Sequence, residues 1–507
     1  MFHRIRTYCL SGIHAVPVNV EVDASLGLPG FTLVGLPDSA VRESRERVVS
    51  AVRASGYSVT GNRTTVNLSP ADLRKEGSSL DLPLAIGMLL ASSQFEVNHI
   101  ERFVFLGELA LDGLLKPVRG ILSIAMTLIE EKGSVLVVPQ ENVQEASLIE
   151  GLLILGVSSL LECIEQLKMI NPSQIVQSRG LSSKLKVSFD QYPDFKNVVG
   201  MQGVKRALEI AASGNHNFLL VGSPGSGKTL CAKCLPSILP EMSDEEIIES
   251  TRIHSCAKSI HPQHFSYIAE RPFRSPHHSA SMVSLVGGSS QLLPGEVSLA
   301  HNGVLFLDEL PEFGRHVLEA LREPMEEGVV CINRASGSAE WPSRFMMGAA
   351  MNPCPCGFAM DLKKECTCLP DMKSRYRSKV SGPLLDRIDL QVSVPSIDIS
   401  QLAFSATAES SSTIRERVKG AREFQEERFR RKKIHFNSEM TSQETRSLAK
   451  MEASTENFAV HASEKLMLSA RGYYRVLKVA RTIADLRGSE TVGKIDLAEA
   501  LQYKVLR

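Results

Sequence analysis

The sequence has no apolar run that is long enough to cross a membrane. Its most apolar stretch, residues 80–92, contains Asp81 and Pro83 and falls well short of the ~20 residues that a spanning helix needs. An export signal is also missing, because polar and turn-forming residues at 11–19 interrupt the apolar stretch that should follow a basic N-terminus. We therefore expect no membrane segment and a cytoplasmic location.

An excess of charge of one sign and a disulfide pattern are missing as well. Lys+Arg and Asp+Glu number 57 each, so any contact with nucleic acid must come from a local patch or a pore. Six of the ten cysteines are scattered singly, which is unlike a secreted disulfide framework and favours a reducing compartment. The composition is that of a globular protein, and 507 residues suggest about three domains.

Residues 1–170 alternate strand and helix patterns and predict an α/β domain. Valines at every second position from Val16 to Val22 indicate a half-buried strand, and Asp38 begins a helix whose apolar face includes Val41 and Val52. Further strands are predicted at 64–68, 103–106 and 134–138, and further helices at 82–91 and 121–131.

The rest of the chain divides into a linker, a second α/β block and a helical region. The linker, residues 171–196, is polar and serine-rich without sustained periodicity. Residues 197–400 form the second block and residues 401–507 the helical region. The predicted architecture is a central parallel sheet flanked by helices and followed by a helical lid. The strands of the second block are predicted at 218–221, 304–307, 344–349 and 390–394.

A complete phosphate-binding loop follows the first strand of the second block. The pattern needs glycines, so that backbone N–H groups face the phosphates, and a lysine followed by a hydroxyl residue. It is formed by Gly222, Ser223, Pro224, Gly225, Ser226, Gly227, Lys228 and Thr229. We expect Lys228 to reach the β and γ phosphates of ATP and the Thr229 hydroxyl to bind Mg²⁺.

Two further strands of this block end in polar residues. The apolar run before Asp308 and Glu309 predicts a buried strand, with Asp308 holding Mg²⁺ through water and Glu309 activating the attacking water. The run 345–351 ends in Asn352, which is predicted to sense the γ-phosphate. The alternative for Asn352 is a turn residue before Pro353.

Three arginines are candidates for contacts with the phosphates. Arg387 lies where a ring-forming ATPase presents an arginine finger to the nucleotide of its neighbour, and an ion pair with Asp386 or Asp389 is the alternative. In the helical region Arg471 is predicted to be a second phosphate sensor, with Arg475 as the alternative.

With these elements in order, the chain resembles the ComM/YifB family of Mg-chelatase-like AAA+ proteins over essentially its whole length. The resemblance implies a hexameric ring whose ATP-driven motions act on DNA, with branch migration during the recombination of transforming DNA as the role. It is carried by FTLVGLPD at 31–38, RSPHH at 274–278, PGEVSLAH at 294–301, NPCPCG at 352–357, SGPLLDRID at 381–389 and ARTIADL at 480–486.

The resemblance also makes residues 1–170 a Lon-protease-like domain. Ser79 stands in the place of the protease's nucleophile, but that serine needs a lysine as its base. Leu122 lies where this lysine belongs, and the next lysine is Lys132. We therefore expect the domain to be proteolytically inactive, with Ser79 as a loop residue or helix cap.

Four cysteines, Cys354, Cys356, Cys366 and Cys368, form two pairs that are a candidate zinc site. The one-residue spacing within each pair is tighter than the usual two to four residues. Free thiols in a proline-rich turn are the alternative.

Contacts with DNA are expected from a basic insertion at 252–301 and from a hairpin at 333–344. The candidates in the insertion are Arg271, Arg274, His277 and His278, which would contact backbone phosphates. A solvated loop that packs against a neighbouring subunit is the alternative. The basic segment 428–433 is interpreted as a solvated face or a DNA contact.

Three other functions share this motif set. The first is the ATPase subunit of a metal chelatase, which the Lon-like domain disfavours. The second is an ATP-dependent protease, which Leu122 disfavours. The third is a scaffold that binds ATP without hydrolysing it, which the intact Glu309 disfavours.

Overall fold

The computed structural model is a mixed α/β structure with a helical C-terminal region, as the sequence predicts. The linker mostly lies outside the described residues, as do residues 397–407, so the predicted domain division stays a prediction. Within the described part, no helix is long and apolar enough to cross a membrane. The structure describes residues 2–25, 30–59, 63–75, 77–169, 175, 177–181, 191–257, 267–289, 291–334, 337–361, 363–396 and 408–503.

A mixed sheet forms the centre of the N-terminal block. Its strands lie in the order β3-β4-β2-β1-β5-β8-β9, and β2 pairs antiparallel with both β1 and β4 whereas the other neighbours are parallel. The short β6 and β7 form a separate hairpin. The strands are β1 (Phe2–Ser11), β2 (His14–Ser25), β3 (Gly30–Val34), β4 (Arg63–Ser69), β5 (Phe103–Phe105), β6 (Glu108–Leu109), β7 (Leu115–Lys116), β8 (Val135–Pro139) and β9 (Leu153–Val157).

The helices of this block place apolar faces against the sheet. The first begins where the Asp38 carboxylate accepts a hydrogen bond from the backbone N–H of Val41 at 2.8 Å. The second is buried along nearly its whole length, against β1 and β2. The helices are α1 (Ser39–Ala54), α2 (Asp81–Ala91), α3 (Ile121–Leu128), α4 (Val143–Ala146) and α5 (Leu160–Met169).

Two parts of the N-terminal block differ from the prediction. Strands β1, β3 and β9 form where the sequence analysis names none, and β1 pairs with β2 along its length from Phe2 to Ser11. The third helix ends at Leu128 instead of 131, because Glu131 and Ser134 close a tight turn around Gly133, whose φ is 84°.

The central sheet is entirely parallel, with the strand order β11-β12-β15-β10-β16. The predicted strand at 344–349 begins and ends two residues later, at Met346–Met351. A separate antiparallel hairpin of β13 and β14 confirms the hairpin expected near 333–344, although residues 335 and 336 lie outside the described residues. The strands are β10 (Phe218–Gly222), β11 (Phe273–Arg274), β12 (Val304–Leu307), β13 (Val329–Arg334), β14 (Gly337–Pro342), β15 (Met346–Met351) and β16 (Leu390–Val394).

Helices cover both faces of the central sheet. One face packs into a cluster with the C-terminal helices, and the other packs into a second cluster that includes Ile13 of the N-terminal block. The helices of this part are α6 (Gln202–Gly214), α7 (Lys228–Cys234), α8 (Asp244–Cys256), α9 (Met282–Val286), α10 (Glu296–Leu299), α11 (Arg315–Ala320), α12 (Arg322–Glu327), α13 (Pro370–Ser378) and α14 (Gly382–Leu385).

The C-terminal region is helical, as predicted. In its basic segment the Arg428 guanidinium pairs with the buried Asp485, so this residue stabilises the helix packing, whereas Arg430, Arg431 and Lys433 are exposed. The helices are α15 (Ser411–Phe429), α16 (Ser442–Leu448), α17 (Ala453–Lys465), α18 (Ala470–Leu486) and α19 (Lys494–Gln502).

Candidate active site

Three neighbouring strands of the central sheet end at one edge. Strands β12, β15 and β10 are adjacent and parallel. Their carboxyl ends therefore bring Asp308, Asn352 and the loop 222–229 together, at the edge where open α/β sheets bind their ligands.

The loop after β10 has the backbone conformation that phosphate binding requires. Gly225 and Gly227 have φ angles of 75° and 83°, in the left-handed region that side chains with a Cβ rarely adopt. Lys228 follows as the first residue of α7, and its Nζ donates to the carbonyl oxygens of Gly222 at 2.8 Å and Ser223 at 2.9 Å. The lysine thus lies over the loop whose N–H groups are expected to bind phosphate.

Lys228 also links this loop to the neighbouring strand. Its Nζ donates to Asn352 Oδ1 at 3.2 Å, which favours the phosphate-sensor prediction for Asn352 over the turn alternative. Burial lowers the pKa of Lys228, and the carboxylates of Asp308 and Glu309 oppose that shift. A buried ammonium between an amide and two carboxylates is well placed to bind phosphate oxygens.

Thr229 and Asp308 form an oxygen pair that fits Mg²⁺. The Thr229 hydroxyl donates to Asp308 Oδ2 at 2.7 Å, and Asp308 Oδ1 accepts from the backbone N–H of Glu309 at 3.0 Å. Hydroxyl and carboxylate oxygens are the ligands that a hard cation such as Mg²⁺ prefers. Thr229 and Asp308 are therefore the residues that would hold the metal.

Glu309 lies at the rim of this site and is more than half exposed. Its Oε2 lies 3.1 Å from His278 Nδ1, so the structure places this histidine, a predicted DNA contact, against the predicted catalytic carboxylate. Glu309, Asn352 and Pro355 line one side of a cavity of about 510 Å³. Two cations, Arg375 of α13 and Lys379 just after its end, line the same cavity. The sequence analysis did not single them out, and their four-residue spacing just after the cysteine pairs is the signal that was available.

The two leading arginine candidates share one partner. Arg387 and Arg471 both pair with the Glu326 carboxylate, and Arg387 also donates to the Pro383 carbonyl at 2.7 Å. The carboxylate that pairs with Arg387 is thus Glu326, whereas the alternative named Asp386 or Asp389. No local pattern in the sequence points to Glu326.

Arg475, the alternative to Arg471, lies elsewhere. Its Nε is 3.6 Å from Asp389, whose other oxygen lies 3.2 Å from His216. Arg475 is buried, and burial lowers its pKa. It therefore stabilises the contact between the helical region and the central sheet, which leaves Arg471 as the more accessible of the two.

The four cysteines come together in space. The Sγ of Cys354 lies 3.4 Å from that of Cys356 and 3.7 Å from that of Cys366, and the last two are 3.6 Å apart. All four Sγ atoms, with that of Cys368, lie within 4.8 Å of one another. Zn–S bonds of about 2.3 Å in a tetrahedron give S···S distances of about 3.8 Å, so the set fits zinc.

The candidate DNA contacts in the insertion are mostly engaged within the chain. Arg271 pairs with Glu246 at 2.9 Å and Arg274 with Glu296 at 2.6 Å, which gives both guanidinium groups a structural role. The ring of His277 packs on that of His278 with centroids 4.1 Å apart. Residues 258–266 and 290 of the insertion lie outside the described residues.

Comparison with known proteins gives matches along nearly the whole chain. Family models of magnesium chelatase subunit ChlI match residues 194–402 and 20–142, and a model of its C-terminal part matches 408–504. Competence protein ComM of Haemophilus influenzae is 42% identical over 98% of this chain and 96% of its own length. YifB of Escherichia coli is 42% identical over 99% of this chain and 97% of its own.

The chain belongs to the ComM/YifB family. The family is Mg-chelatase-like, and its AAA+ core supports an ATPase that uses ATP and Mg²⁺. A more distant relative, the 38 kDa subunit of magnesium chelatase from Cereibacter sphaeroides, is 25% identical over 31% of this chain and 52% of its own length. The match to this 38 kDa subunit is limited to part of each chain, whereas the matches to ComM and YifB extend along nearly all of this chain.

Membership of the ComM/YifB family leaves the proteolytic question to the residues of the N-terminal block. Leu122 is fully buried, and its N–H donates to the Glu145 carboxylate at 2.8 Å. The Ser79 carbonyl accepts from Gly107 N–H at 3.0 Å, and the neighbouring Ser78 hydroxyl bonds to Glu108. Inactivity as a protease stays a prediction.

Proposed function

We propose that this chain is a ring-forming ATPase that uses ATP hydrolysis to remodel branched or single-stranded DNA, as a branch-migration motor in natural transformation and recombination. The observation that carries the proposal is the meeting of Lys228, Thr229, Asp308 and Asn352 at one sheet edge, beside the exposed Glu309. Its extension to DNA is supported by the competence protein among the relatives. We place this activity in the cytoplasm, where DNA, ATP and reduced thiols occur together.

Each residue of the edge has one task in the proposed reaction. Lys228 and the N–H groups of the loop bind the phosphates, and Thr229 and Asp308 hold Mg²⁺, which neutralises charge that develops on the phosphate oxygens. Asn352 contacts the γ-phosphate, and Glu309 orients the attacking water and accepts its proton. Glu309 suits this task because it lies at the open rim, where water reaches it.

A neighbouring copy completes the site in this proposal. Arg387 and Arg471 both pair with Glu326, and in this proposal they exchange that carboxylate for the phosphates of the nucleotide of the next subunit. Arg471 is half exposed, whereas Arg387 is buried, so its ion pair must open when the site assembles. Guanidinium groups delivered in this way stabilise the charge of the transferring phosphoryl group. We therefore propose a homo-oligomer, with six subunits as in the ring that the family resemblance implies.

DNA would meet the ring at exposed loops, since Arg271 and Arg274 are occupied by carboxylates. Arg334 at the end of β13 is exposed and belongs to the hairpin of β13 and β14. We propose zinc as a further metal, held by Cys354, Cys356, Cys366 and Cys368, because four thiolates at these separations form a closed tetrahedral site.

The test is steady-state ATP hydrolysis without DNA and with single-stranded DNA, duplex DNA or a four-way junction, each at low and moderate salt. Stimulation by DNA that weakens as salt rises is the expected result, because phosphate contacts release counterions. Branch migration of the four-way junction then provides the direct assay. Hydrolysis that is indifferent to every DNA would refute the DNA substrate and favour a chelatase-type partner, in line with the partial likeness to the 38 kDa chelatase subunit.

A further inference from the structure

The segment from residue 353 to 368, which we name the cysteine loop, lies between two parts of the nucleotide site. It leaves β15 directly after Asn352 and returns to α13 at Pro370. Residue 362 within it lies outside the described residues. Cys354 is fully buried, and Cys356, Cys366 and Cys368 are partly exposed. Within the described part, the loop is therefore buried near Cys354 and Gly357 and more exposed at residues 363–368.

The cysteine loop packs directly on the phosphate-binding loop. A Cβ added at Gly357 would lie 2.5 Å from Pro224 Cδ and 2.6 Å from Cγ, so only a glycine allows this approach. Gly357 also has a φ of 86°, which other residues rarely adopt. The Asp361 carboxylate also lies close to the Ser223 hydroxyl, and the backbone N–H of Lys363 together with this hydroxyl lowers the pKa of Asp361. Two neighbouring positions of the phosphate-binding loop thus lie against the cysteine loop.

The same segment contacts the side of the site that carries the sensor. Asn352, which accepts from Lys228, is only two residues before Cys354. Pro355 lines the cavity beside Glu309, and Tyr376 of α13 and Asn352 line the same cavity. The position of the cysteine loop therefore affects both the phosphate-binding loop and Asn352.

Within the described part of the loop, short-range hydrogen bonds hold the turns, among them Gly357 N–H to the Cys354 carbonyl at 3.0 Å, and the four thiols bring its two ends together. Asp361 caps a turn by accepting from Lys363 N–H at 2.8 Å and Lys364 N–H at 3.1 Å, and Cys356 N–H donates to Cys368 Sγ at 3.3 Å. N–H donation to a sulfur is the kind of contact that supports a metal-bound thiolate. Because so few apolar side chains are buried here, a cross-link is needed to offset the entropy of ordering the loop.

We propose that zinc bound by the four cysteines turns the cysteine loop into a rigid strap that holds Pro224 and Asn352 at a fixed separation, so that zinc loading sets the affinity for ATP. The proposal rests on the proposed ATPase function and adds a control over its nucleotide site. The ion is structural, since all four positions of a tetrahedral site are occupied by sulfur and none is left for substrate. No bond is made or broken in the reaction at this ion.

The first experiment counts zinc and measures nucleotide affinity on the same samples. Zinc is determined by release with a mercurial reagent, and affinity by binding of a fluorescent ATP analogue without DNA. We expect a single zinc per chain in the wild type, and loss of zinc with about tenfold or greater weakening of ATP binding in Cys366→Ser and Cys368→Ser. Cys331→Ser is the matched control, because Cys331 is an exposed cysteine outside the cluster, and it should retain both zinc and affinity.

A second pair of variants alters the contact between the cysteine loop and the phosphate-binding loop while the four cysteines remain. Gly357→Ala and Asp361→Asn leave all four cysteines in place and should keep zinc, yet weaken ATP binding, by about tenfold for Gly357→Ala because it displaces Pro224. Full affinity in Gly357→Ala, or full affinity in zinc-free Cys366→Ser, would overturn the strap. A wild type without zinc would overturn the metal site.

These readouts also separate failure of the strap from failure of the proposed function. Neither depends on hydrolysis or on DNA, so a result against the DNA motor leaves the zinc count and the ATP affinity intact. A wild type that holds zinc but binds no nucleotide would overturn both the ATPase and the strap.

Discussion

The carboxyl edge of the central sheet and the region before α2 in the N-terminal block both collect polar side chains, but only the first leaves them open to a ligand. At the central edge Glu309 is 57% exposed in its side chain and lies beside a cavity. In the N-terminal block Asp81 and Lys75 are fully buried. A cluster of polar residues indicates a catalytic or binding site when its side chains face a common cavity.

The buried charged groups of the N-terminal block already have hydrogen-bond partners within the protein. The Asp81 carboxylate accepts from Arg47 Nε at 2.8 Å and from Leu109 N–H at 3.2 Å, and Lys75 donates to the Pro70 carbonyl. Burial raises the pKa of Asp81, and the hydrogen bond from Arg47 opposes that shift. The Arg47–Asp81 pair holds α1 and α2 together, whereas the proposed function assigns the pairs at the central edge to exchange with phosphate and metal.

The largest effect should come from removing Arg387, which the proposed function assigns to the nucleotide site of the neighbouring subunit. Arg387→Ala should lower ATP turnover by about 1,000-fold or more and leave ATP binding largely intact, because the guanidinium acts on transition-state charge. Arg430→Ala, which removes a guanidinium that is 78% exposed, is the control and should not change turnover.

Rings assembled from two different inactive variants test whether Arg387 acts on the nucleotide of a neighbouring subunit. A ring that combines Arg387→Ala with Lys228→Ala contains interfaces in which one subunit keeps the phosphate loop and its neighbour keeps the arginine. Turnover should therefore reappear in mixtures and pass through a maximum with the mixing ratio. Absence of turnover at every ratio would contradict the role in a neighbouring subunit and leave Arg387 as a structural partner of Glu326.

The second effect tests the exposed carboxylate itself. Glu309→Gln keeps the shape of the side chain but cannot accept a proton, so turnover should fall by about 100- to 10,000-fold while ATP affinity stays unchanged. Equal turnover in the variant would refute the assignment of Glu309. Glu312→Gln, which changes a nearby carboxylate paired with Lys379 at 3.2 Å, is the matched control.

A third effect should appear in stability and leave catalysis unchanged. Arg47→Ala leaves the fully buried Asp81 carboxylate without its cation and should cost about 3–5 kcal/mol in the free energy of unfolding. Urea denaturation measures this cost, and Arg45→Ala, which removes an exposed arginine of the same helix, is the control. ATP turnover per folded molecule should be unchanged, because Arg47 lies outside the central block.

The pH dependence of the stability lost in Arg47→Ala follows from the direction in which the pKa of Asp81 is shifted. A raised folded-state pKa means that the stability contributed by Asp81 is complete below its ordinary pKa and is lost as pH rises through the folded value. Removing Arg47 raises that pKa further. The difference between variant and wild type should therefore be larger near neutral pH than in mild acid, and a constant difference would mean that the ion pair is not its source.

The sequence analysis predicted the central block best because its signals are local. The apolar runs at 304–307 and 390–394 match β12 and β16, and Asp308, which follows the first run, needs only the strand direction to reach the edge. Strand β1 was missed because Arg4 and Arg6 interrupt its apolar residues, and its stability comes from ten paired positions on β2.

Contacts between distant residues could not be predicted. The shared carboxylate of Glu326 for Arg387 and Arg471, and the pairing of His278 with Glu309, join residues from separate elements. Arg271 and Arg274 were predicted as DNA contacts because charge alone is visible in a sequence. Their carboxylate partners on α8 and α10 become visible only in the fold.

The smallest effect is expected from a substitution of Ser79. This substitution tests directly whether the polar residues of the N-terminal block are catalytic. Ser79→Ala should change neither ATP turnover nor stability, because the contact that holds this residue runs from Gly107 N–H to the Ser79 carbonyl, which alanine retains. Cleavage of a fluorogenic peptide should be undetectable in the wild type and in the variant alike, since the buried Leu122 offers no base.

Ser78→Ala is the informative partner variant, because it removes a hydroxyl that bonds to Glu108 and should destabilise the block slightly without affecting cleavage. Peptide cleavage by the wild type that disappears in Ser79→Ala would show that this serine is activated by a group other than the expected lysine, and the two regions would then both be catalytic.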